Sequence, residues 1–301
     1  MPAVISATHI GSFFYELETS YSGGFTAIQQ HIPSAAVTSS PITPAMNPRH
    51  LPTINDYDYQ GTILGAHDYT VNVEHFLQNT DATHTLAVSL ENLAVARTLG
   101  DMTSICACLK TNATTFFVLK GGKINTQTIT FAVGQPITVA TEIWFNNLTT
   151  AGTVPTGTTP AAMTGNFDSF NGAMFTRAAK WIAGIKGATV TINNHLERIP
   201  RINTGAAQAG DYSLIMPGIQ ETTMTADIIA DLGGITDIND ILTDPHTSTI
   251  LQSRTGDALG YKWTLTNPYL NSEPVPYSAD MTTMIISASL GAESVALAAT
   301  T

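Results

Sequence analysis

Two segments in the middle of the chain alternate apolar and polar residues, and this alternation restricts the fold more than any other feature of the sequence. Residues 186–193 alternate cleanly, with Ala188, Val190 and Ile192 on one side and Thr and Asn on the other. Residues 137–145 follow the same pattern. Because successive side chains of a β-strand point to opposite faces, a period of two is typical of strands with one buried face. The chain is therefore expected to fold mainly from strands.

Further strand candidates follow along the chain, separated by glycine and proline. They are residues 61–78, 106–119, 123–133, 221–230, 261–265 and 284–290. Gly121-Gly122 and Gly134-Gln135-Pro136 are predicted turns. Strands of this length between such turns predict a mainly β fold, a β-sandwich or barrel with long loops.

One segment has the period of a helix instead. It runs from Asp81, a predicted N-cap, to Gly100, which is expected to end it. Its apolar residues recur at helical spacing: Leu86, Leu90, Leu93 and Ala94. We expect this helix to flank the sheet with its apolar side inward. Residues 237–253 are a second, weaker helical candidate.

Two stretches are predicted to be long loops. Five prolines fall between residues 31 and 52, and each removes a ladder donor and extends the residue before it. Residues 1–60 are therefore expected to form an extended N-terminal arm and Pro-rich loop. Residues 61–301 are expected to form a single β-sandwich domain, with an inserted loop at about 147–165 that is rich in Thr, Gly and Ala. A loop as long as the Pro-rich segment at 31–52 usually has a function, which here would be to reach a neighbouring subunit.

The chain carries few charges for its size. Charged residues make up 12% of its 301 residues, against about 25% in ordinary globular domains. Interface cores are depleted of Lys and Glu, so a surface poor in both is easily buried against another subunit. A small-residue β protein without such an interface is the alternative.

The net charge of −11 argues against a conventional nucleic-acid binder, which needs a basic face, but it suits a surface past which DNA slides.

Motifs for catalysis or cofactor binding are missing from the sequence. There is no Gly-x-Ser-x-Gly elbow, phosphate-binding glycine loop or His-Glu-x-x-His. His67, His75 and His84 lie near acidic residues but include no closely spaced pair, so single histidines are a better interpretation than a metal site. The carboxylates of residues 237–244 lack the spacing of a calcium loop and are interpreted as helix-start residues. We therefore expect no enzyme, no cofactor, and no catalytic, cofactor-binding or metal-ligating residues.

The two cysteines, Cys106 and Cys108, are two residues apart in a strand candidate. They are interpreted as buried small apolar residues, which fits folding in a reducing cytoplasm.

The N-terminus has no signal-peptide pattern, and no apolar run is long enough for a transmembrane helix. No membrane partner is expected.

Two segments resemble the tail tube proteins of long-tailed phages. In Gly121 to Val139, the pattern Gly-x-Lys-hydrophobic-Asn precedes one strand, and Gly-x-Pro-hydrophobic opens the next. In Lys186 to Arg201, Ile-Asn-Asn-His-Leu-Glu is similar to the family's strand ending Ile-Asn-Asn-x-Leu-Glu. The resemblance covers roughly residues 115–290. The Pro-rich N-terminal segment and the 147–165 loop depart from it and look like insertions.

The resemblance implies a structural virion protein. It implies that copies form six-membered rings, which stack into the tail tube through which viral DNA is ejected. Its implied partners are further copies of itself and other tail proteins, such as the tape measure and tail terminator. DNA would pass through the lumen without specific binding, and Asp and Glu are expected at positions facing it. The protein would be assembled in the host cytoplasm and reside in the virion tail.

Two alternatives remain open. The first is the tube protein of a contractile injection system, which an associated sheath gene would indicate. The second is an extracellular β-sandwich module for sugar binding or adhesion, whose site would use the three tryptophans, Trp144, Trp181 and Trp263. The missing signal peptide and the strand positions of Trp144 and Trp263 count against this second alternative.

Overall fold

In a computed structural model of the chain, most of the described residues lie in strands. The residues described are 12–26, 30–32, 36–37, 49–51, 61–63, 68–81, 84–110, 116–151, 162–177, 180–181, 185–200, 212–229, 248–254, 259–272 and 285–300. The strands are β1 (Ser12–Leu17), β2 (Gln30–His31), β3 (Ala36–Val37), β4 (Arg49–Leu51), β5 (Gly61–Ile63), β6 (Tyr69–Phe76), β7 (Ile105–Lys110), β8 (Phe116–Ala132), β9 (Thr138–Phe145), β10 (Asn147–Ala151), β11 (Met174–Arg177), β12 (Lys180–Trp181), β13 (Ile185–Asn193), β14 (Glu197–Pro200), β15 (Tyr212–Met216), β16 (Glu221–Ile229), β17 (Thr249–Gln252), β18 (Tyr261–Ser272) and β19 (Ile285–Ala299). The helical segments among the described residues are α1 (Leu90–Val95) and two 3₁₀ turns, Leu86–Val88 and Phe170–Gly172. The mainly β prediction is confirmed.

Fifteen of these strands form one antiparallel sheet. Its longest path runs β12-β11-β17-β18-β19-β16-β13-β8-β7-β1-β2. β9 and β10 pair with β8 on its other side, β6 pairs with β9, and β3 pairs with β6. The pairs β14–β15 and β4–β5 are separate two-stranded sheets.

β8 is the central strand of the fold and has different neighbours in its two halves. Its first half pairs with β7 and β10, and its second half pairs with β9 and β13. The change occurs beside Gly121, which has a φ of +66°, and Gly122, whose added Cβ would lie 2.3 Å from the Phe145 ring. Glycine is required at both positions, because one needs a left-handed backbone and the other a close approach. β8 thereby connects two parts of the sheet.

The large part of the sheet curves strongly around its own core. In sheet order, β8 and β18 are separated by three strands, which in a flat sheet would put them roughly 19 Å apart. Nevertheless the rings of Phe131 and Trp263 lie 6.0 Å apart, centroid to centroid, at 88°. Phe131 also meets Phe175 of β11 at 5.4 Å. Apolar residues from β8, β9, β11, β13 and β16 to β19 thus share one buried cluster, as in a sandwich or barrel.

A second core lies between β1, β6, β7 and α1. It includes Phe13, Val71, Leu93 and Leu109, each buried. The predicted alternation of Tyr69, Val71 and Val73 is confirmed by their burial along β6. β1 pairs with β7 over its whole length. The proposed division of the chain at residue 60 stays a prediction.

The predicted helix from Asp81 to Gly100 is wrong in length. Among the described residues of this segment, only Leu90–Val95 is α-helical, and Ser89 caps it by accepting a hydrogen bond from the Asn92 N–H. Ser89 has extended backbone angles, so it separates the 3₁₀ turn from the helix. The helix ends at Ala96, which is also extended, and Gly100 lies in a later turn with a φ of +83°.

Three other local predictions need correction. Gly121-Gly122 is no turn but lies inside β8, for the steric reasons given above. Residues 106–119 are not one strand, since β7 ends at Lys110 and β8 begins at Phe116. The first five residues of the predicted 147–165 loop form β10, which continues the β8–β9 hairpin.

Most of the remaining predicted elements are confirmed where the structure describes them. β9, β13, β16 and β18 match their predicted segments, and Gly134 forms the expected turn with a φ of +72°. The helical candidate at 237–253 is wrong at its end, where Thr249–Gln252 is a strand. Its first part and most of the Pro-rich segment lie outside the described residues. None of the described helices is long and apolar enough to cross a membrane.

Candidate assembly surfaces

A row of hydroxyl side chains crosses the sheet on the side opposite its large core. Register aligns Thr138 of β9 with Thr130 of β8, which pairs with Thr189 of β13. Thr189 pairs with Thr225 of β16, and Thr225 with Ser289 of β19. A hydroxyl therefore occupies the same level on five adjacent strands.

The next level of the sheet repeats this arrangement. Thr128 and Thr191 pair across β8 and β13, with their hydroxyl oxygens 3.4 Å apart. Thr223 of β16 follows in register. We call this surface the hydroxyl face; it comprises Thr126, Thr128, Thr130, Thr138, Thr189, Thr191, Thr223, Thr225 and Ser289. Cross-strand threonine pairs stabilise a sheet by hydrogen bonds and packing, without any charge.

Carboxylates lie around the hydroxyl face. Glu142 pairs in register with Thr126, and Asp227 pairs with Ser287 and accepts a hydrogen bond from its hydroxyl. Glu221 and Glu74 are exposed on β16 and β6. Glu142 accepts hydrogen bonds from the Asn125 amide and the Trp144 indole N–H. The carboxylates give the face a negative border.

Two cations also border this face. Lys186 is exposed at the bulge of β13. The Arg198 guanidinium lies 4.0 Å from the centre of the Trp144 ring and 3.4 Å from the Asp68 carboxylate. Trp144 is thereby covered by Arg198, which does not fit the open aromatic platform that a sugar-binding module would use.

One end of the β8–β13–β16 strands is organised by Asn194, which is fully buried. Its amide nitrogen donates to the carbonyls of Ala94 and Ile124, both at 3.0 Å. Its amide oxygen accepts from Arg97 at 2.9 Å and from Gln220 at 3.0 Å. Every side-chain hydrogen-bonding position of Asn194 is therefore used, and α1, β8 and the turn before β16 are joined in one place.

Two aliphatic side chains project from this end. Leu99 has a relative exposure of 104% and Ile219 one of 86%. Arg97 connects their turns, since its other nitrogen donates to the Gly218 carbonyl at 2.6 Å. Burial lowers the pKa of the Arg97 guanidinium, although Asp101 opposes this effect. We call Leu99 and Ile219, with the half-exposed Met216 of β15, the aliphatic end.

The opposite end of the same strands displays aromatic side chains. Phe76, at the end of β6, and Phe167 are about half exposed, and their rings meet edge to face at 5.9 Å. The segment of Phe167 is fixed to the β8–β9 turn, because the Phe170 N–H donates to the Gln135 carbonyl at 3.2 Å. Val133 in that turn is also exposed. We call Phe76, Phe167 and Val133 the aromatic end.

The histidines considered in the sequence have separate partners. His75 is buried and bonds to Glu91 at 2.9 Å, and His84 bonds to Asp81 at 3.1 Å. His67 lies outside the described residues. Within the described part of the chain, no group of three or more His, Cys, Asp or Glu residues is arranged to hold a metal. The residues of the hypothetical calcium loop also fall outside it.

Cys106 and Cys108 are buried thiols, as predicted. Burial, with Glu18 and Glu16 nearby, raises the pKa of Cys106 far above its usual range. Burial raises the pKa of Cys108 to about 12. Neither thiol forms an appreciable amount of the reactive thiolate near neutral pH.

A curved, mainly β chain with a broad neutral face and exposed apolar ends has the features of a self-associating structural protein. A family model of phage tail tube proteins matches residues 11–270. The chain belongs to the phage tail tube protein family, and the resemblance seen in the sequence is confirmed. No curated protein matches the chain. Family membership makes it a structural component of the phage tail that assembles with copies of itself and with other tail proteins.

Sequence reasoning identifies none of these three surfaces. The motif Ile-Asn-Asn-x-Leu-Glu did contain Asn194, but the sequence gives no sign that this residue is the buried one of its pair. Leu99 and Phe76 could not be distinguished from core residues, because exposure depends on the register and on long-range neighbours. The threonine alternation in β13 was the available signal for the hydroxyl face.

Proposed function

We propose that the chain polymerises into stacked rings, six copies to a ring, and that the hydroxyl face lines the lumen through which viral DNA is ejected. The observation that carries this proposal is the level of hydroxyls across five adjacent strands with carboxylates at its border. The ring number rests on the family alone.

The chemistry of the hydroxyl face suits passage of DNA. A surface binds DNA tightly when its cations release counterions from the phosphates. Hydroxyl groups carry no charge and release none, and they keep the wall hydrated. The carboxylates Glu74, Glu142, Glu221 and Asp227 outnumber the bordering cations Lys186 and Arg198, so the border repels phosphate. DNA would slide along such a wall without a fixed binding site.

The tape measure and tail terminator are proposed as partners because the tail tube family implies them. The host cytoplasm is proposed as the place of assembly for the same reason. A tube that contracts with a sheath remains compatible with the fold. The covered Trp144 and the fully buried Trp263 give no support to the carbohydrate-binding alternative.

Electron microscopy of the purified protein, concentrated and aged, tests the assembly. Rings or hollow tubes with a regular axial repeat are the expected result. A protein that stays monomeric at high concentration, even with fragments of phage tail as initiators, would contradict the proposal.

The lumen assignment needs a separate test. Thr191→Cys on the hydroxyl face and Thr149→Cys on β10, both labelled with a small gold cluster, provide a matched pair. Since the native thiols are buried, the label reports the new position alone. Averaged tube images should show gold on the inner wall for Thr191→Cys and off that wall for Thr149→Cys. Gold on the outer wall for Thr191→Cys would refute the lumen assignment while leaving the tube intact.

A further inference from the structure

The two apolar ends lie at opposite ends of the same strands. The aliphatic end is anchored beside Asn125, because the Asn194 N–H donates to the Asn125 carbonyl at 2.8 Å. The aromatic end is anchored at the turn after Ala132, where the Gln135 N–H donates to the Ala132 carbonyl. Seven residues of extended strand separate the anchors, a distance of about 23 Å. The protein thus presents one apolar patch at each end of its sheet.

Among the described residues, the exposed side chains of both patches lie outside the buried clusters. Leu99 and Ile219 contribute almost no buried area, yet their turns are fixed by hydrogen bonds from Arg97 and Gln220 to the buried Asn194. Fixed turns lower the entropy lost when a partner is bound. Exposed apolar side chains on a fixed scaffold are typical of contact residues.

We infer that the aliphatic end of one copy packs against the aromatic end of the next copy along the tube axis. This inference rests on the proposed function and names the surfaces that stack. If the hydroxyl face lines the lumen and the sheet pairs edge to edge with neighbouring subunits of the ring, the two ends of the strands face the rings above and below.

The occupant of each patch is a second copy of this chain for a geometrical reason. A contact between two different patches is heterologous, so it leaves a free patch of each kind on every growing end and can repeat without limit. Contacts between two identical ends would stop at a pair. Aliphatic side chains against an edge-to-face aromatic pair also bury apolar area on both sides.

Cysteine cross-linking tests this contact directly. Ile219→Cys and Phe167→Cys are made as separate variants, and the two native thiols stay unreactive because they are buried. After mixing, assembly and mild oxidation, we expect disulfide-linked dimers that contain one copy of each variant. Each variant alone should give no linked dimers, and the double variant should give a ladder of linked oligomers.

A second measurement compares assembly of charged variants. Ile219→Asp is expected to raise the critical concentration for tube formation about tenfold or more, since burial of an isoleucine is lost. The matched control is Ala140→Asp, which adds the same charge at an exposed position of β9 on the hydroxyl-face side. The control should change the critical concentration by less than about twofold.

The outcomes separate this inference from the proposed function. Tubes that form with no mixed cross-link, or with Ile219→Cys linked to itself, overturn the assignment of the stacking surfaces and leave the tube function standing. An unchanged critical concentration for Ile219→Asp would also overturn the assignment of the stacking surfaces and leave the tube function standing. A wild-type protein that forms neither rings nor tubes removes the proposed function and this inference with it.

Discussion

Replacing Asn194 by alanine should be among the most damaging single changes in the chain. The residue is fully buried and makes four side-chain hydrogen bonds at 2.9 to 3.0 Å. Asn194→Ala removes two donors and one acceptor from a site closed to water. The Ile124 carbonyl loses its bond from Asn194, and Arg97 and Gln220 lose an acceptor.

The size of the effect follows from these bonds. A buried hydrogen bond contributes about 1 kcal/mol, so the four together give about 4 kcal/mol. The Ala94 carbonyl keeps a bond from Gln220 at 3.1 Å, and Arg97 keeps its bond to Gly218. We therefore expect a loss of about 3 kcal/mol in the free energy of unfolding, a large share of the roughly 5–15 kcal/mol of a typical domain.

Equilibrium urea unfolding of the unassembled protein measures this loss, with the fluorescence of the buried Trp263 as the signal. The matched control is Asn193→Ala, because Asn193 is partly exposed and its side chain accepts one bond, from the His195 N–H. The control should lose less than about 1 kcal/mol. Equal losses for Asn194→Ala and Asn193→Ala would refute the reasoning that the buried bonds at this site stabilise the fold.

Three further changes have clear expected outcomes. Gly122→Ala should lower the free energy of unfolding by about 2 kcal/mol or more, because its Cβ would lie 2.3 Å from the Phe145 ring. Burial acts to raise the pKa of Asp101, but hydrogen bonds from the Lys123 ammonium and the Met102 N–H outweigh it and lower that pKa. Stability from this pair is thus present above the unfolded value of about 3.9 and is lost as the pH falls through the lower folded value, so Asp101→Asn should flatten that part of a stability–pH curve. The Cys108 thiol should react with a disulfide reagent at pH 8 at least about a hundredfold more slowly in the folded than in the unfolded protein.

The first two of these changes have a matched control, and the third has an outcome that would contradict it. For the glycine it is Gly187→Ala, where the added Cβ meets one backbone oxygen at 3.1 Å; an equal loss would show that the Phe145 contact is not the cause. For the ion pair the control is Asp227→Asn on the exposed face. Identical stability–pH curves for Asp101→Asn and Asp227→Asn would show that Asp101 does not cause the pH dependence. For the thiol, fast labelling of folded protein would show that the buried strand opens readily.

Local patterns in the sequence predicted much of the sheet. The alternation of Val190 with Thr189 and Thr191 fixed both the strand and its buried side, because a period of two depends only on residues close in the chain. Gly134 was predicted as a turn for the same local reason. The strand position of Trp263 was also predicted, and Trp263 lies in β18.

Predictions failed where distant residues decide the local structure. Gly121-Gly122 has the composition of a turn, but the approach of Phe145 and the pairing of β8 on both sides keep it within a strand. Leu86 fits the helical period, yet Ser89 caps a shorter helix after it. The site was harder still, since no local pattern tells that Asn194 is buried whereas Asn193 is not.

The proposed function would also account for the unusual composition of the chain. A surface that lets DNA pass gains nothing from lysine, and apolar ends that stack exclude charge, so both surfaces favour uncharged residues. The remaining acidic residues can then lie where they repel phosphate, as Glu142 and Asp227 do at the border of the hydroxyl face. Under the proposed function, low charge and a net charge of −11 would both follow from one requirement, that copies adhere to one another at their ends while DNA adheres to none of them. A variant that adds lysines to the hydroxyl face should therefore still stack into tubes but retain DNA in a salt-dependent way, and salt-independent retention would break the link between composition and function.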